Sequence, residues 1–471
     1  MLTIFLLLSC AIASASAAED AKVTELMTKA LDDVPGKEVT MITVEYAPGG
    51  KDPVHRHNAA TFVYVLEGSI IMQMKGGEKV TLHPGQTFYE DPKGIHLVGE
   101  NASKTKPAKF VALLVKDKGA SFFVPVTEQD DDLPVSPQAE QASPNHTEKT
   151  AINPHENPKV EHQIRDFLKA LNSGGGKPIE TLTPVEARKV LVDAQASVQL
   201  NLPACDVEEK GITQDGLEVS LTVVRPAGRK AVLPAFVFVH GGGWILGDFP
   251  THERFVRDLV SDSGFAAVFV NYTPSPEAHY PTAINQIHAA AKWVAIHGAE
   301  IKVDGSRLAI VGNSVGGNMT AAVALMAKHK GGPEFKCQVM LWPVTDANFD
   351  TKSYHEYAEG YFLSRAMMKW FWDAYAPDPT QRREIYASPL QANMGQLKGL
   401  PPTLIQVAGN DVLRDEGLAY ARKLDEAGVN VTVVRYENLI HDYGLLNAIS
   451  QVPAVRDALH QTAEMLKKHL K

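Results

Sequence analysis

Continuous apolar runs, separated by amphipathic segments of helical length, dominate the C-terminal part of the chain. Six such runs lie between residues 233 and 437, with the sequences LPAFVFVH, AAVFVNY, RLAIVGNS, CQVMLWPV, PTLIQVAG and VTVVRYE. A strand that is apolar throughout is buried on both faces, and a helix between two strands allows them to run parallel. The pattern therefore predicts an α/β domain over residues 159–471, with a parallel sheet covered by helices.

A different pattern occupies residues 39–118. Short β-rich runs such as VTMITVEYAP, TFVYVLEGSIIMQM and KFVALLVK alternate there with turns such as HPGQ and DPKG. Short strands at regular spacing, with Gly and Pro between them, are typical of all-β barrels and sandwiches. We therefore expect a second domain of this class.

The two predicted domains are joined by residues 119–158, which contain six Pro, seven acidic residues and one Lys. Few aliphatic side chains follow Val135 in this segment. Such a composition cannot bury a core, so it predicts an acidic, Pro-rich linker.

The N-terminus predicts a signal peptide over residues 1–18. An apolar run from Leu2 to Leu8 leads into small residues, and Ala15-Ser16-Ala17 matches the A-x-A pattern of a cleavage site. The run is short for a membrane span, and no other run is long enough, so we expect a secreted or extracytoplasmic protein without stable membrane insertion. Because no Lys or Arg precedes the run, a retained anchor and a cytosolic N-terminus stay open as alternatives.

Charge and cysteine content exclude two classes of protein. The chain of 471 residues has a formal net charge of −9 and no block rich in Lys and Arg, so nucleic acid is not an expected partner. Three Cys are too few for a disulfide framework, and we expect the fold to rely on its apolar cores.

The first candidate for catalysis is Ser314. The segment Gly312-Asn313-Ser314-Val315-Gly316 fits the G-x-S-x-G pattern between a predicted strand, Leu308–Val311, and a predicted helix, Gly317–Lys330. A tight turn in this context exposes the Ser hydroxyl above the sheet edge, next to the unpaired N–H groups of the helix N-terminus. The alternative is a Gly-rich turn whose Ser has no function.

Two further motifs complete a hydrolytic site. His240-Gly241-Gly242-Gly243 directly follows an apolar run, and consecutive glycines let backbone N–H groups approach a substrate oxygen, together with the N–H of Val315. Asp411 and His441 each follow a later apolar run, in the order nucleophile, acid, base. We expect Ser314 to attack, His441 to take its proton and Asp411 to orient the imidazole.

Two other acids compete with Asp411 for this role. Asp415 lies one helical turn further along the chain, and Asp346 follows an earlier apolar run. Both stay open as alternatives.

Residues from about 200 to 465 resemble the hormone-sensitive-lipase-like branch of the α/β-hydrolases. The segments that carry the resemblance are HGGGW, NYTPSPEAHYP, GNSVGG, DVLRDEG and HDYG. It implies hydrolysis of carboxylic esters without a cofactor, an eight-stranded sheet, an N-terminal helical cap formed by KVEHQIRDFLKAL and PVEARKVLVDAQ, and oxyanion donors at Gly242, Gly243 and Val315. The sequence departs from this family at Asn313 and Val315, where Asp and Ala are usual, and NYTPSPEAHYP lacks the usual Arg-Leu-Ala before the Pro-Glu.

Residues 48–116 resemble a cupin barrel, on the segments GKDPVHRHNAATFVYVLEGS and PGQTFYEDPKGIHLVGEN. The resemblance implies a metal site with His55, His57 and His96 as ligands. The Glu that this family adds falls at Thr61 or Phe62, and neither residue can replace it. Three imidazoles still suffice for a divalent metal ion, while a vestigial metal site and a metal-free barrel for a small ligand stay open.

The sequence therefore predicts a secreted serine carboxylesterase that acts on small esters with short to medium acyl chains. The cupin unit would assist folding, substrate capture or assembly into a homo-oligomer. The alternative function is a metal-dependent cupin enzyme, or a sensor of a small ligand, fused to a hydrolase.

Overall fold

The computed structural model describes residues 21–31, 34–92, 94–126 and 153–471. The chain divides into two compact units, Met1–Thr150 and Ala151–Lys471, and each has its own apolar core. The signal peptide predicted for residues 1–18 lies outside the described residues, as does most of the predicted linker.

The N-terminal unit is built from antiparallel strands. In its described part they are β1 (Ala21–Ala30), β2 (Lys37–Tyr46), β3 (His55–Arg56), β4 (Ala59–Glu67), β5 (Ile70–Met74), β6 (Val80–Leu82), β7 (Thr87–Glu90), β8 (Ile95–Asn101), β9 (Ala108–Asp117) and β10 (Val124–Pro125). They form two five-stranded sheets, ordered β1-β2-β9-β4-β7 and β10-β3-β8-β5-β6.

The alternation of side chains along these strands creates the core of the barrel. In β9, for example, every second residue from Ala108 to Lys116 is buried, because successive side chains of a strand point to opposite faces. The strands also extend beyond residues 39–118, since β1 precedes this range and β10 pairs with β3 after it. β1 was not predicted, because its side chains are exposed almost throughout and therefore lack an apolar alternation.

The C-terminal unit contains an eight-stranded sheet in the order β11-β12-β14-β13-β15-β16-β17-β18. Its strands are β11 (Cys205–Gln214), β12 (Leu217–Pro226), β13 (Leu233–Val239), β14 (Ala266–Asn271), β15 (Val303–Asn313), β16 (Gln338–Leu341), β17 (Thr403–Asn410) and β18 (Val431–Ile440). The helices in residues 153–471 are α1 (His162–Ser173), α2 (Pro184–Ala196), α3 (Phe249–Ser263), α4 (Thr282–His297), α5 (Val315–Lys330), α6 (Lys352–Glu356), α7 (Arg365–Tyr375), α8 (Met394–Leu397), α9 (Arg414–Glu426) and α10 (Pro453–Leu470).

The sheet is mixed, whereas the apolar runs predicted a parallel one. Strands β13 to β18 pair in parallel, but β12 is antiparallel to β14, and β11 is antiparallel to β12. Asp215 and Gly216 connect β11 to β12 with positive φ angles of 53° and 77°, as a two-residue hairpin turn requires. β11 is largely exposed at the sheet edge, so it lacks the apolar run that reveals the buried strands.

The two segments predicted as a cap form helices α1 and α2. A capping box between Thr183 and Glu186 begins α2, which satisfies backbone N–H groups that a helix start leaves unpaired. Near the end of α2, buried Gln195 donates hydrogen bonds to the carbonyl oxygens of Thr251 and Leu445. This helix is therefore tied to the loop that follows His441. Among the described residues, no helix is long and apolar enough to cross a membrane.

Candidate active site

Ser314 lies in a tight turn between β15 and α5. Its φ of 54° and ψ of −122° are a strained conformation for a residue with a side chain. A Cβ atom at Gly316 would overlap the carbonyl oxygen of Val239, and one at Gly312 would overlap the carbonyl oxygen of Gly316. Only glycine fits at these two positions, which explains the G-x-S-x-G spacing.

The hydroxyl, the imidazole and the carboxylate of the predicted triad form a hydrogen-bonded chain. His441 Nε2 lies 3.0 Å from Ser314 Oγ, and His441 Nδ1 lies 2.7 Å from Asp411 Oδ2. All three residues are buried, at no more than 4% exposure. Strand register explains the proximity, because Asn410 pairs with Ile440, and Asp411 and His441 are the residues that follow.

The two alternative acids make other contacts. Asp415 Oδ1 accepts a hydrogen bond from Arg414 Nε at 2.8 Å. Asp346 Oδ1 accepts one from Gln391 Nε2 at 2.9 Å. The carboxylate that meets the imidazole is therefore that of Asp411.

Two opposing effects act on the pKa of His441. Burial by itself lowers this pKa, but the carboxylates of Asp411 and Asp442 raise it, and the net result is a pKa above the usual value. The second carboxylate lies on the other side of the ring, with Asp442 Oδ2 3.9 Å from His441 Nε2. The two carboxylates therefore stabilise the positively charged form of the imidazole, in which Nε2, the nitrogen that faces Ser314, also carries a proton.

The glycine loop after β13 presents backbone N–H groups at the same sheet edge. Gly242 and Gly243 have φ angles of 102° and 63°, in a region that favours glycine. In the described part of the chain, the N–H groups of Gly242, Gly243 and Val315 donate no hydrogen bond. Three such unpaired donors near a nucleophile can bind a negatively charged oxygen.

Asn313 contacts this loop, and both Asn313 and Trp342 contact Asp442, which motif matching did not reveal. Asn313 Oδ1 accepts a hydrogen bond from the N–H of Gly241 at 3.0 Å, and Asn313 Nδ2 donates to Asp442 Oδ1 at 3.3 Å. Trp342 Nε1 donates to the same oxygen at 2.7 Å. Asn313 thus joins the glycine loop to the residue after His441, and the only sequence signal was its departure from the usual Asp.

Phe371 is another residue near the site that the sequence did not single out. Its ring contacts Gly243 so closely that a Cβ atom at this glycine would overlap the ring. Phe371 belongs to α7 and is buried. It therefore forms part of the wall beside the glycine loop.

The predicted metal ligands of the barrel also lie together. One ring nitrogen from each of His55, His57 and His96 lies within 4.8 Å of the others. Glu90, which was not predicted, joins them, with its Oε2 2.9 Å from His57 Nε2. Burial raises the pKa of Glu90, but His96 and His57 outweigh this and hold it at about 2.

Comparisons with known proteins agree with both resemblances. A family model described as an α/β-hydrolase fold matches residues 236–445, and a cupin-domain model matches residues 42–115. The carboxylesterase NlhH of Mycobacterium tuberculosis is 32% identical over 326 residues, which are 69% of this chain and 99% of that protein. An ethyl acetate hydrolase of Pseudomonas putida is 29% identical over 67% of this chain and 99% of its own length.

A solved structure extends this agreement to three dimensions. The crystal structure of a thermostable esterase from Pseudomonas putida ECU1011 is 61% identical in sequence and has a TM-score of 0.66. The match covers 67% of this chain and 99% of that esterase. The predictions of an α/β-hydrolase fold, of a cupin domain and of an ester-hydrolysing enzyme are confirmed. This chain belongs to the hormone-sensitive-lipase-like esterases of the α/β-hydrolase fold, with a cupin domain ahead of the hydrolase domain.

Proposed function

We propose that the chain is a secreted serine carboxylesterase with Ser314, His441 and Asp411 as its catalytic triad. The observation that carries this proposal is the continuous chain of hydrogen bonds from the Ser314 hydroxyl through His441 to Asp411, at 3.0 and 2.7 Å. A nucleophile, its base and the acid that orients the base are the groups that acyl transfer needs.

The reaction follows from this arrangement. Ser314 Oγ attacks the ester carbonyl carbon while His441 Nε2 accepts its proton, and the resulting oxyanion accepts hydrogen bonds from Gly242, Gly243 and Val315. His441 then returns the proton to the alcohol oxygen, the ester C–O bond breaks, and the acyl group stays on Ser314. A water molecule, deprotonated by His441, attacks this acyl-enzyme, which releases the carboxylic acid and restores the Ser hydroxyl.

No cofactor takes part in this proposed reaction. The nucleophile is a side chain, the base is an imidazole whose pKa two carboxylates raise, and the oxyanion donors are backbone N–H groups. We therefore propose that any metal ion bound by the cupin unit is dispensable for ester hydrolysis.

Esters with short to medium acyl chains are the proposed substrates. Phe371 packs against Gly243, and buried Val315, next to Ser314 in the chain, is larger by two methyl groups than the Ala that this family usually has. Side chains of this size limit the space near the carbonyl carbon, so we propose acyl chains of about two to eight carbons.

Secretion is proposed from residues 1–18 alone, and an isolated protein that starts with Met1 would contradict it.

Replacement of the nucleophile tests the triad. We expect Ser314→Ala to lower kcat/KM for p-nitrophenyl acetate by at least about a thousandfold, and to abolish labelling by a fluorophosphonate probe. Ser197→Ala is the matched control, since this Ser is exposed on the C-terminal unit and should keep full activity. If a folded Ser314→Ala protein retained more than a few per cent of the activity, the proposed nucleophile would be wrong.

A further inference from the structure

Four ionisable side chains that the proposed ester hydrolysis does not use lie together inside the barrel. His55, His96 and Glu90 are almost fully buried, and His57 is partly buried. The cavity around them is otherwise mostly apolar, with Val63, Met72, Phe110 and Leu114 among its lining residues; the carboxylate of Asp52 also lines it and accepts a hydrogen bond from the Tyr46 hydroxyl. Charged and polar groups in such surroundings require partners.

Backbone carbonyls determine which ring nitrogens face the cavity. His55 Nδ1 lies 2.8 Å from the carbonyl oxygen of Pro53, and His57 Nδ1 lies 2.6 Å from that of Phe122. Because a carbonyl oxygen only accepts, each Nδ1 must carry the proton that it donates. In the neutral rings, each Nε2 therefore has a free lone pair.

These lone pairs converge on each other. His55 Nε2 and His57 Nε2 are 3.1 Å apart, and Glu90 Oε2 is 2.9 Å from His57 Nε2. With both rings neutral, three acceptor atoms face one another without a donor between them, so either a metal ion or an added proton must lie among them. Two imidazole nitrogens bound to one metal ion at about 2.1 Å are themselves about 3.0 to 3.4 Å apart, which the observed separation matches.

His96 completes the group from the next strand, where it pairs with His55. It is 3% exposed, and neither of its ring nitrogens has a hydrogen-bond partner among the described residues. Its Nδ1 lies 3.7 Å from Glu90 Oε1. An imidazole that is buried and unpartnered is rare in native proteins, and a bound ion would satisfy it.

Strand register explains where the carboxylate comes from. The Glu that the cupin motif leads one to expect on β4 is absent, and of the two residues at its place, Thr61 is buried whereas Phe62 is exposed. In the antiparallel pair of β4 and β7, Thr61 is directly opposite Glu90. Side chains of such a pair are neighbours on the same face, so the neighbouring strand brings a carboxylate to the same region of the cavity.

We propose that Glu90 is the carboxylate ligand of a divalent transition-metal ion that His55, His57 and His96 also bind. Three imidazoles with one carboxylate suit first-row metals from Mn²⁺ to Zn²⁺ and disfavour Ca²⁺ and Mg²⁺, which prefer all-oxygen sites. None of the residues of the proposed esterase triad is among these four ligands.

Metal binding by the full-length protein tests this proposal. After removal of bound metal with a chelator, wild-type protein should take up one equivalent of Co²⁺, followed by visible absorption and by calorimetry. Glu90→Gln should weaken binding at least tenfold and change the Co²⁺ spectrum. Glu67→Gln is the matched control, because Glu67 is an exposed carboxylate at the end of β4, and it should bind as the wild type does.

A paired exchange makes the test specific for the carboxylate position. The double variant Thr61→Glu with Glu90→Thr moves the carboxylate to the opposite strand, and it should bind Co²⁺ more tightly than Glu90→Gln. Equal affinity and equal spectra for wild type and Glu90→Gln would overturn the role of Glu90. Absence of stoichiometric binding by the wild type would overturn the metal site, and a proton would then be the cation in the cluster.

A measurement on the wild type covers the case in which the variants do not fold. Anomalous diffraction from crystals soaked in Co²⁺ should locate one ion bonded to Glu90 and to the three imidazoles. An ion bound elsewhere, or one without a bond to Glu90, would overturn the proposal.

Discussion

Two carboxylates flank the imidazole of His441, one at each ring nitrogen. Asp411 accepts the Nδ1 proton, which is the usual arrangement in a triad. Asp442 lies 3.9 Å from Nε2, at the side where the proton from Ser314 would arrive. Asn313 and Trp342 hold Asp442 in place by hydrogen bonds to its other oxygen. The second carboxylate therefore raises the pKa of His441, the proposed base.

Replacement of Asp442 should change the pH dependence of hydrolysis. Only neutral His441 can accept a proton, so kcat/KM falls as the pH decreases through its pKa. Because the Asp442 carboxylate helps to raise this pKa, Asp442→Asn should move the acidic limb of the kcat/KM profile to lower pH. Asp425→Asn, at an exposed position of α9, is the control. An acidic limb that stays in place would show that Asp442 does not act on His441.

Val315 is the residue at which substrate size can be tested. Its proposed role in the oxyanion hole belongs to the backbone N–H, so Val315→Ala should remain active. The loss of two methyl groups should shift the preferred acyl length toward longer or bulkier groups, since one methylene of misfit is worth about 1–3 kcal/mol. Rates on p-nitrophenyl esters of increasing length measure this shift, with exposed Val185→Ala as control. If the dependence of the rate on acyl length stayed the same, Val315 would not border the acyl pocket.

At the level of secondary-structure elements, the turn between β15 and α5 depends on how closely it approaches β13. Gly316 lies against the carbonyl oxygen of Val239, the last residue of β13. Val239 pairs with Gly312 in the sheet, so neither strand can move away without loss of their shared register. The position of Ser314 is thus a property of two strands and a helix together.

A methyl group at Gly316 should disrupt this arrangement. Gly316→Ala should destabilise the C-terminal unit by about 1–3 kcal/mol and lower the esterase activity strongly, because the turn must shift. Thermal unfolding and kcat/KM measure the two effects. Gly211→Ala is the control, since a Cβ atom there meets no atom within 4 Å. Wild-type stability of Gly316→Ala would contradict the close approach.

At the level of the whole molecule, every group proposed for hydrolysis lies in the unit Ala151–Lys471. This unit has its own apolar core around the eight-stranded sheet. The cupin unit supplies none of the triad residues or oxyanion donors.

The C-terminal unit should therefore hydrolyse esters by itself. Residues 151–471, expressed alone, should reach a kcat/KM for p-nitrophenyl acetate within about threefold of the full chain, because no reacting group is lost. EDTA should leave the activity of both proteins unchanged. Loss of full-chain activity with EDTA, and its recovery with a divalent metal ion, would instead assign chemistry to the cupin unit.

The sequence by itself determined the elements that carry the proposed esterase site and their order. Apolar runs predicted strands β13 to β18, and the glycines around Ser314 predicted the turn into α5, although this helix begins at Val315, two residues before the predicted start. These are local properties, because periodicity and glycine content act within a few neighbouring residues. The exposed strands β1 and β11 have no such pattern, and the sequence did not reveal them.

Only the tertiary structure decided which distant residues meet. Asn313 and Asp442 are 129 positions apart, Phe371 reaches Gly243 from another helix, and Glu90 faces Thr61 through the register of β4 and β7. Register and packing depend on the whole core, since a shift of one residue in a strand would turn every side chain to the opposite face. No local pattern contains that information, so the support of His441 and the fourth side chain of the cupin cluster emerged only from the fold.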